Sequence, residues 1–215
     1  MSVITISREF GSGGSDVAKL VAGRLGWTLI DNEFVDRVAE RAGCSTAEVQ
    51  QQEERVPTLI ERLARALTVS APEMFAATTD PQMALPPEDR IVRVTEAVIT
   101  EAAQRGHVVM VGRGAQAYLA EREGALHVYV VAPRERRIAA VVRRLGVTPE
   151  EAAKRLDEVD GGRQRYVRTH YAREWDAAAN YDLVVSTGHF TYEQAAELIV
   201  AAARARGLDR TATAG

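Results

Sequence analysis

The segment VITISREFGSGGS, residues 3–15, decides the fold of this chain. Residues 3–6 are uncharged and mostly β-branched, which predicts a strand buried on both faces, as in a parallel sheet. A glycine-rich turn follows, and from Asp16 apolar residues recur at helical spacing up to a stop near Gly26. Free N–H groups and the helix dipole both favour an anion at such a helix N-terminus. We therefore predict that phosphate is bound by Gly11, Ser12, Gly13, Gly14 and Ser15.

The turn departs from the phosphate loop of P-loop enzymes, which is G-x-x-x-x-G-K-[ST]. With Gly13 as the second glycine, Ser15 matches the residue that binds Mg²⁺, Gly14 stands where the lysine belongs, and Arg8 replaces the first glycine. Lys19 lies more than one turn into the helix, so Arg8 is the better candidate for a catalytic cation at the β/γ-phosphates. The competing interpretation is that Arg8 pairs with a neighbouring carboxylate and only shapes the loop.

A dinucleotide-binding fingerprint, G-x-G-x-x-G with an acid about 20 residues on, is the rival interpretation of the same turn. Gly11 and Gly13 match its first two glycines, and Asp31 lies at the right distance. The third glycine position holds Asp16, whose carboxylate would face the pyrophosphate. The chain also lacks a second strand–helix–strand half, so a phosphate loop is favoured.

Composition and charge narrow the class of protein. The 215 residues suit one large domain or a domain with a small insert, and 46% of them are hydrophobic. A net charge of −3 argues against a nucleic-acid partner. The chain has one cysteine and no zinc-ligand spacing, which predicts a reducing, cytoplasmic location. Its start carries no basic residues and no long apolar segment follows, which predicts a protein without a membrane span.

Strands alternate with helices along the rest of the chain, which predicts a parallel sheet with helices on both faces. Because ligands bind at the carboxyl ends of such strands, we expect the glycine turn, Asp31 and Arg113 on one rim. Residues 68–89 lack periodicity and contain four prolines, so we expect a loop that becomes ordered with the acceptor. The predicted strands cover residues 27–30, 107–111, 126–131 and 183–186, and the predicted helices cover residues 32–42, 45–55, 57–67, 89–104, 133–145, 150–159 and 191–205.

A basic segment follows the fourth strand. Residues 134–173 hold eleven Lys/Arg and six Asp/Glu in an otherwise acidic chain. We expect Gly161 and Gly162 to break or hinge the helix there, so that Arg163 and Arg168 lie on a mobile segment that closes over phosphates. Arg113, set between two glycines after a buried strand, is poorly explained by packing and is interpreted as an anion ligand.

A resemblance to a known family is carried by ITISREFGSGG (4–14), VMVGR (109–113), Asp160 with Arg163, and YDLVVST (181–187). In these parts the chain resembles the cytidylate kinase-like family, a branch of the P-loop nucleoside-monophosphate kinases. The resemblance implies a P-loop kinase fold: a five-stranded parallel sheet, an acceptor-binding insert and an arginine-bearing lid. The implied segments of this domain, residues 1–207, are a core (1–42 and 90–150), the insert (43–89), the lid (150–175) and a closing strand and helix (181–206), followed by a frayed tail (208–215). The implied acceptor ligands are Asp31, Arg37, Arg113 and Arg136.

Two functions follow from the residues and the resemblance. The first is phosphoryl transfer from ATP, with Mg²⁺ on Ser15, to a small phosphorylated acceptor, most simply a nucleoside monophosphate such as CMP or dCMP. The second is a non-catalytic nucleotide-binding module that kept the glycine turn and lost turnover together with the lysine. In both cases the expected partners are small-molecule nucleotides, and assembly into a homo-oligomer is left open.

Overall fold

A computed structural model describes residues 1–31 and 87–209. The chain divides into two compact units, one formed by Met1–Ile30 with Arg105–Gly215 and the other by Asp31–Gln104. The first unit contains the whole sheet. In the second unit the described residues are Asp31 and the helix that leads back to the sheet. The domain segments expected from the sequence stay a prediction.

Five parallel strands form one sheet in the order β2-β3-β1-β4-β5, which confirms the predicted architecture. The central strand β1 pairs with β3 from Val3↔Val108 to Ile6↔Val111, and with β4 from Val3↔Ala125 to Arg8↔Val130. The strands β2 to β5 lie within one residue of their predicted bounds, whereas β1, predicted over residues 3–6, continues two residues further to Arg8. The strands are β1 (Val3–Arg8), β2 (Thr28–Ile30), β3 (Val108–Val111), β4 (Ala125–Val131) and β5 (Leu183–Ser186).

Helices cover both faces of the sheet, as alternating strands and helices require. Ile4 and Ile6 of β1 belong to a buried cluster with residues of α1 and α6, and Tyr129 on the opposite face packs with Val167 of α5 and with Trp175. The described helices are α1 (Gly14–Leu25), α2 (Pro87–Arg105), α3 (Ala115–Tyr118), α4 (Arg134–Leu145), α5 (Pro149–Tyr171) and α6 (Tyr192–Ala205).

The expected break at Gly161 and Gly162 is wrong, because α5 continues through both glycines to Tyr171. A glycine in a helix costs roughly 1 kcal/mol relative to alanine, which tertiary contacts can outweigh. Here a capping box between Thr148 and Glu151 starts the helix, and Asp160, just before the glycines, is tied to the glycine turn by the contacts described below. The arginines after residue 162 are therefore carried by an unbroken helix.

The loop expected at residues 68–89 is corrected at its end, because residues 87–89 already belong to α2. Its other residues lie outside the described ranges. The same holds for Arg37 and for the predicted helices at residues 32–42, 45–55 and 57–67. No helix among residues 1–31 and 87–209 has the length and apolarity needed to cross a membrane.

Candidate active site

The carboxyl ends of β1 and β4 border the crevice where a ligand is expected. From β1 the chain continues to β2 on one side of the sheet, and from β4 it continues to β5 on the other. Connections that leave neighbouring strands in opposite directions open a crevice at their carboxyl ends, where α/β proteins bind ligands. Residues 9–13, called the glycine loop below, lie at this position, and α1 begins directly after them.

The glycine loop has a defined conformation. Gly11 and Gly13 have φ angles of 83° and 77°, in the left-handed region that side chains with a Cβ disfavour. The Ser12 hydroxyl donates to the Glu9 carbonyl at 2.9 Å, and the Ser12 carbonyl accepts from the Thr187 hydroxyl at 2.7 Å. The loop is thus fixed from within and by the segment that follows β5.

Four backbone N–H groups of this region are available to a ligand. Phe10 N–H donates to Asp160, and Ser12 N–H donates to the Glu9 carbonyl. By contrast, within the described part of the chain no protein acceptor receives the N–H groups of Gly11, Gly13, Gly14 and Ser15. This donor set at a helix N-terminus fits a phosphate chain. The Ser15 side chain, likewise without a hydrogen bond among those residues, fits the hydroxyl ligand of Mg²⁺ in a phosphate loop.

Neighbouring elements leave no room for a side chain at either glycine of the loop. A Cβ on Gly11 would lie 2.9 Å from the carbonyl oxygen of Arg137 in α4, and a Cβ on Gly13 would overlap the ring of Tyr192 in α6. Because backbone and ring press on the loop from two sides, its N–H groups are held in place before any ligand arrives.

Arg8 lies between the start of α1 and the end of β3. Its Cβ and Cγ occupy the space beside Gly14, and its guanidinium lies against Gly112, where a Cβ would overlap Nη1. The carbonyl of Arg8 accepts a hydrogen bond from Arg163 at 2.8 Å. The side chain predicted to replace the lysine is therefore beside the position that the lysine would occupy.

Glu9, Asp160 and Arg163, which are partly buried, form with the buried Arg137 a group called the acid–arginine cluster. Asp160 accepts hydrogen bonds from Phe10 N–H at 2.8 Å, from Arg137 Nη1 at 2.6 Å and from Arg163 Nη1 at 3.1 Å. Glu9 Oε2 accepts from the N–H of Ala132 at 2.8 Å and lies 3.5 Å from Arg137 Nε. Burial lowers the pKa of Arg163, and the adjacent Asp160 carboxylate opposes this shift. The cluster joins α4 and α5 to the glycine loop.

The other predicted arginines lie in different surroundings. Arg168 is exposed and donates from Nη2 to both carboxylate oxygens of Glu174 at 2.7 Å. Arg136 is exposed on α4, whereas its neighbour Arg137 is buried. The sequence interpretation missed Arg137, although residue 137 precedes the buried Val141 by one helical turn and so shares its face.

The turn after β3 also ends at the rim of the sheet. Gly112, Arg113 and Gly114 all have positive φ, at 72°, 54° and 71°. For arginine this is an uncommon and costly conformation of the kind that occurs at functional sites. Because β3 and β1 are parallel neighbours, this turn and the glycine loop lie at the same edge, as expected. Asp31 follows β2 in the chain and is the first residue of the second unit.

The sheet order, the phosphate-type loop after the central strand and the helix that begins on that loop define a P-loop kinase fold. The chain belongs to the cytidylate kinase-like family, whose sequence profile matches residues 3–189. A protein named cytidylate kinase from Ignicoccus hospitalis is 30% identical over 203 residues, which cover 93% of this chain and 97% of that protein. Membership supports nucleotide-dependent phosphoryl transfer in general.

A second curated relative has a different name. The chain is 32% identical over 132 residues to a protein of Corynebacterium glutamicum named uronate isomerase. That similarity covers 59% of this chain and 25% of the length of that protein. The shared part is thus a quarter of the relative.

Solved structures agree with the fold. An uncharacterized protein from Eubacterium ventriosum superposes with a TM-score of 0.69 at 20% identity, covering 95% of this chain and 99% of that one. Shikimate kinase from Acinetobacter baumannii, solved with shikimate, superposes with a TM-score of 0.50 at 15% identity, covering 95% and 94%. At these identities the likeness concerns the fold alone.

Proposed function

We propose that this protein transfers the γ-phosphoryl group of ATP to a nucleoside monophosphate, with CMP or dCMP as the first candidates. The observation that carries the proposal is the set of four N–H groups, Gly11, Gly13, Gly14 and Ser15, without a protein acceptor in the described part of the chain. They lie at the crevice where a P-loop kinase binds its donor. Family membership and the name of the Ignicoccus relative favour a cytidylate acceptor.

In this proposal the chain acts by positioning and by charge. The glycine loop holds the phosphates of ATP, and Ser15 offers its hydroxyl to Mg²⁺, which when bound offsets charge on the β- and γ-phosphates. Arg8 supplies the cation that the lysine supplies elsewhere. Such preorganised donors stabilise the charge that spreads over the transferring group without any covalent step by the protein.

The remaining arginines have proposed roles on either side of the transferring group. Arg163 donates to Asp160 and to the Arg8 carbonyl through Nη1, and we assign the contact with a phosphate to its other guanidinium N–H groups. Arg168 donates to Glu174 through Nη2, and the same division applies to it. On the acceptor side we propose the four residues implied by the family pattern, Asp31, Arg37, Arg113 and Arg136.

A non-catalytic nucleotide-binding module is the second candidate, and Gly14 is the observation that favours it. Without the lysine, the N–H groups still hold phosphate, but the charge that develops in transfer is less well offset. Both candidate functions require binding of the nucleotide, and only the kinase also transfers its phosphoryl group.

The test is a coupled assay for ADP formation with ATP, Mg²⁺ and a panel of nucleoside monophosphates, accompanied by calorimetric binding of ATP with and without Mg²⁺. A kinase shows turnover with one acceptor above the others, whereas a binding module shows affinity alone. Ser15→Ala should remove the dependence of ATP binding on Mg²⁺, and Ser15→Thr, which keeps the hydroxyl, should retain it. Absence of ATP binding in the wild-type chain would refute both candidates.

The same proposal includes a cytoplasmic location and small-molecule nucleotides as partners, with neither nucleic acid nor a membrane among the partners. An assembly into a homo-oligomer is left to measurement of the molar mass in solution.

A further inference from the structure

A side chain at position 14 would occupy the same space as the side chain at position 8. A Cβ on Gly14 would overlap the Cβ of Arg8, and it would lie 3.0 Å from Arg8 Cγ and 3.3 Å from Val130 Cβ. These atoms cannot swing away, because a Cβ is fixed by its own strand and Val130 is buried in β4. Gly14 is helical with an ordinary backbone, so its need to be glycine is one of space alone.

Both departures from the phosphate-loop pattern fall on this pair. The pattern places a glycine at the position of Arg8 and a lysine at the position of Gly14. Here the large and the small residue are exchanged: the large side chain comes from β1 and the small one stands at the start of α1. Since a side chain at position 14 cannot coexist with one at position 8, an arginine at position 8 requires a glycine at position 14. The two departures from the pattern are therefore structurally linked.

We propose that positions 8 and 14 share a single side-chain site, and that Arg8, entering it from the strand, is the cation of this phosphate loop. The inference rests on the proposed function for the role of the charge, whereas the shared site rests on packing alone. Because the guanidinium lies against Gly112, the charge is delivered toward the carboxyl end of β3, where the turn with Arg113 begins. The anion it meets is therefore one that lies between the glycine loop and this turn, as a phosphoryl group in transfer would.

The shared site is tested by a thermal-unfolding cycle. Gly14→Ala in the wild-type chain should lower Tm by about 3–10 °C, as overpacking does in a domain of this size. The same substitution in an Arg8→Gly background should leave Tm unchanged or raise it, because alanine is the better helix former. In an Arg8→Ala background the loss should remain, since that variant keeps the obstructing Cβ. Gly23→Ala is the matched control, because Gly23 lies in the same helix with open space around it, and it should raise Tm slightly in every background.

The role of the Arg8 charge is tested by moving a positive charge from position 8 to position 14, where the phosphate-loop pattern has a lysine. Arg8→Gly should reduce turnover roughly 10²-fold, which is typical for loss of one such donor. The double variant Arg8→Gly/Gly14→Lys, which restores the usual pattern, should regain at least about tenfold of that loss, whereas Gly14→Lys alone should gain nothing and lower Tm.

The shared site is overturned if Gly14→Ala costs as much in the Arg8→Gly background as in the wild type, or if Arg8→Ala relieves the cost equally. The role of Arg8 as the loop cation is overturned if a stable double variant is no more active than Arg8→Gly. If the wild-type chain neither binds nor turns over ATP, the proposed function fails, and the Tm cycle still decides the shared site.

Discussion

Asp160 holds the candidate active site together, so its substitution by asparagine is the most informative single change. The carboxylate accepts three hydrogen bonds and is 15% exposed, and it neutralises Arg137, which is 10% exposed. Asp160→Asn keeps the shape and one carbonyl oxygen but removes the charge. The buried Arg137 and the partly buried Arg163 then have less compensation of their charge.

The expected loss follows from the burial of the pair. Removing one partner of a buried ion pair typically costs about 3–5 kcal/mol, because a charge is left uncompensated. The low end applies here, since Glu9 stays 3.5 Å from Arg137 and the asparagine oxygen can still accept from Phe10. About 3 kcal/mol corresponds to a fall in Tm of roughly 6–12 °C for a chain of this length.

The assay is urea and thermal unfolding, with amide hydrogen exchange of Phe10 as the local measurement. Phe10 N–H donates to Asp160 in the native state, so its exchange should accelerate more than that of amides in the core strands. Asp157→Asn is the matched control: Asp157 lies on the same helix and pairs with Arg134, but it is 65% exposed, so its loss should leave Tm unchanged. Equal effects of the two substitutions would refute the idea that the acid–arginine cluster fixes α4 and α5 to the glycine loop.

Three other outcomes are expected. Burial lowers the pKa of His127 in the folded chain below 6.5. As pH falls, this histidine is therefore protonated in the unfolded chain before it is protonated in the folded chain. The free energy of unfolding should fall below pH 6.5, by at most about 1.4 kcal/mol per pH unit. Urea midpoints at about pH 7.5 and about pH 5.5 should show this slope in the wild type and in the exposed His189→Gln, and less of it in His127→Gln. Arg113→Val should cost about 1–2 kcal/mol more than Arg113→Asn, because asparagine tolerates positive φ and a β-branched residue does not. Calorimetry should show that both weaken binding of the acceptor. Gly13→Ala should lower the free energy of unfolding by about 1–3 kcal/mol, since a Cβ there meets the ring of Tyr192, and an unchanged urea midpoint would contradict this crowding.

Much of the fold could be predicted from local pattern. Buried strands appear as short uncharged runs, and helices as apolar residues three and four apart. The bounds of β5, Leu183–Ser186, and the stop of α1 at its C-cap Gly26 were predicted in this way. The succession of β1, glycine loop and α1 also predicted which N–H groups have no protein acceptor, because their geometry depends on neighbours in the chain.

The predicted hinge at Gly161 and Gly162 failed because glycine marks a helix end only where nothing else holds the helix. A local preference of about 1 kcal/mol against glycine met contacts worth more. Arg137 was missed for another reason: the phase of α4 against its buried residues places residue 137 inside, and that phase was not followed.

By itself, then, the sequence determined the class of fold, the position of the glycine turn at the start of α1 and the absence of the lysine from it. Only the tertiary structure decided that Arg8 fills the space that the lysine would need, and that Asp160 binds Phe10 across 150 residues of chain. The physical reason is that periodicity and turn chemistry act between near neighbours, whereas a contact between β1 and α5 exists only once the sheet has brought their ends together.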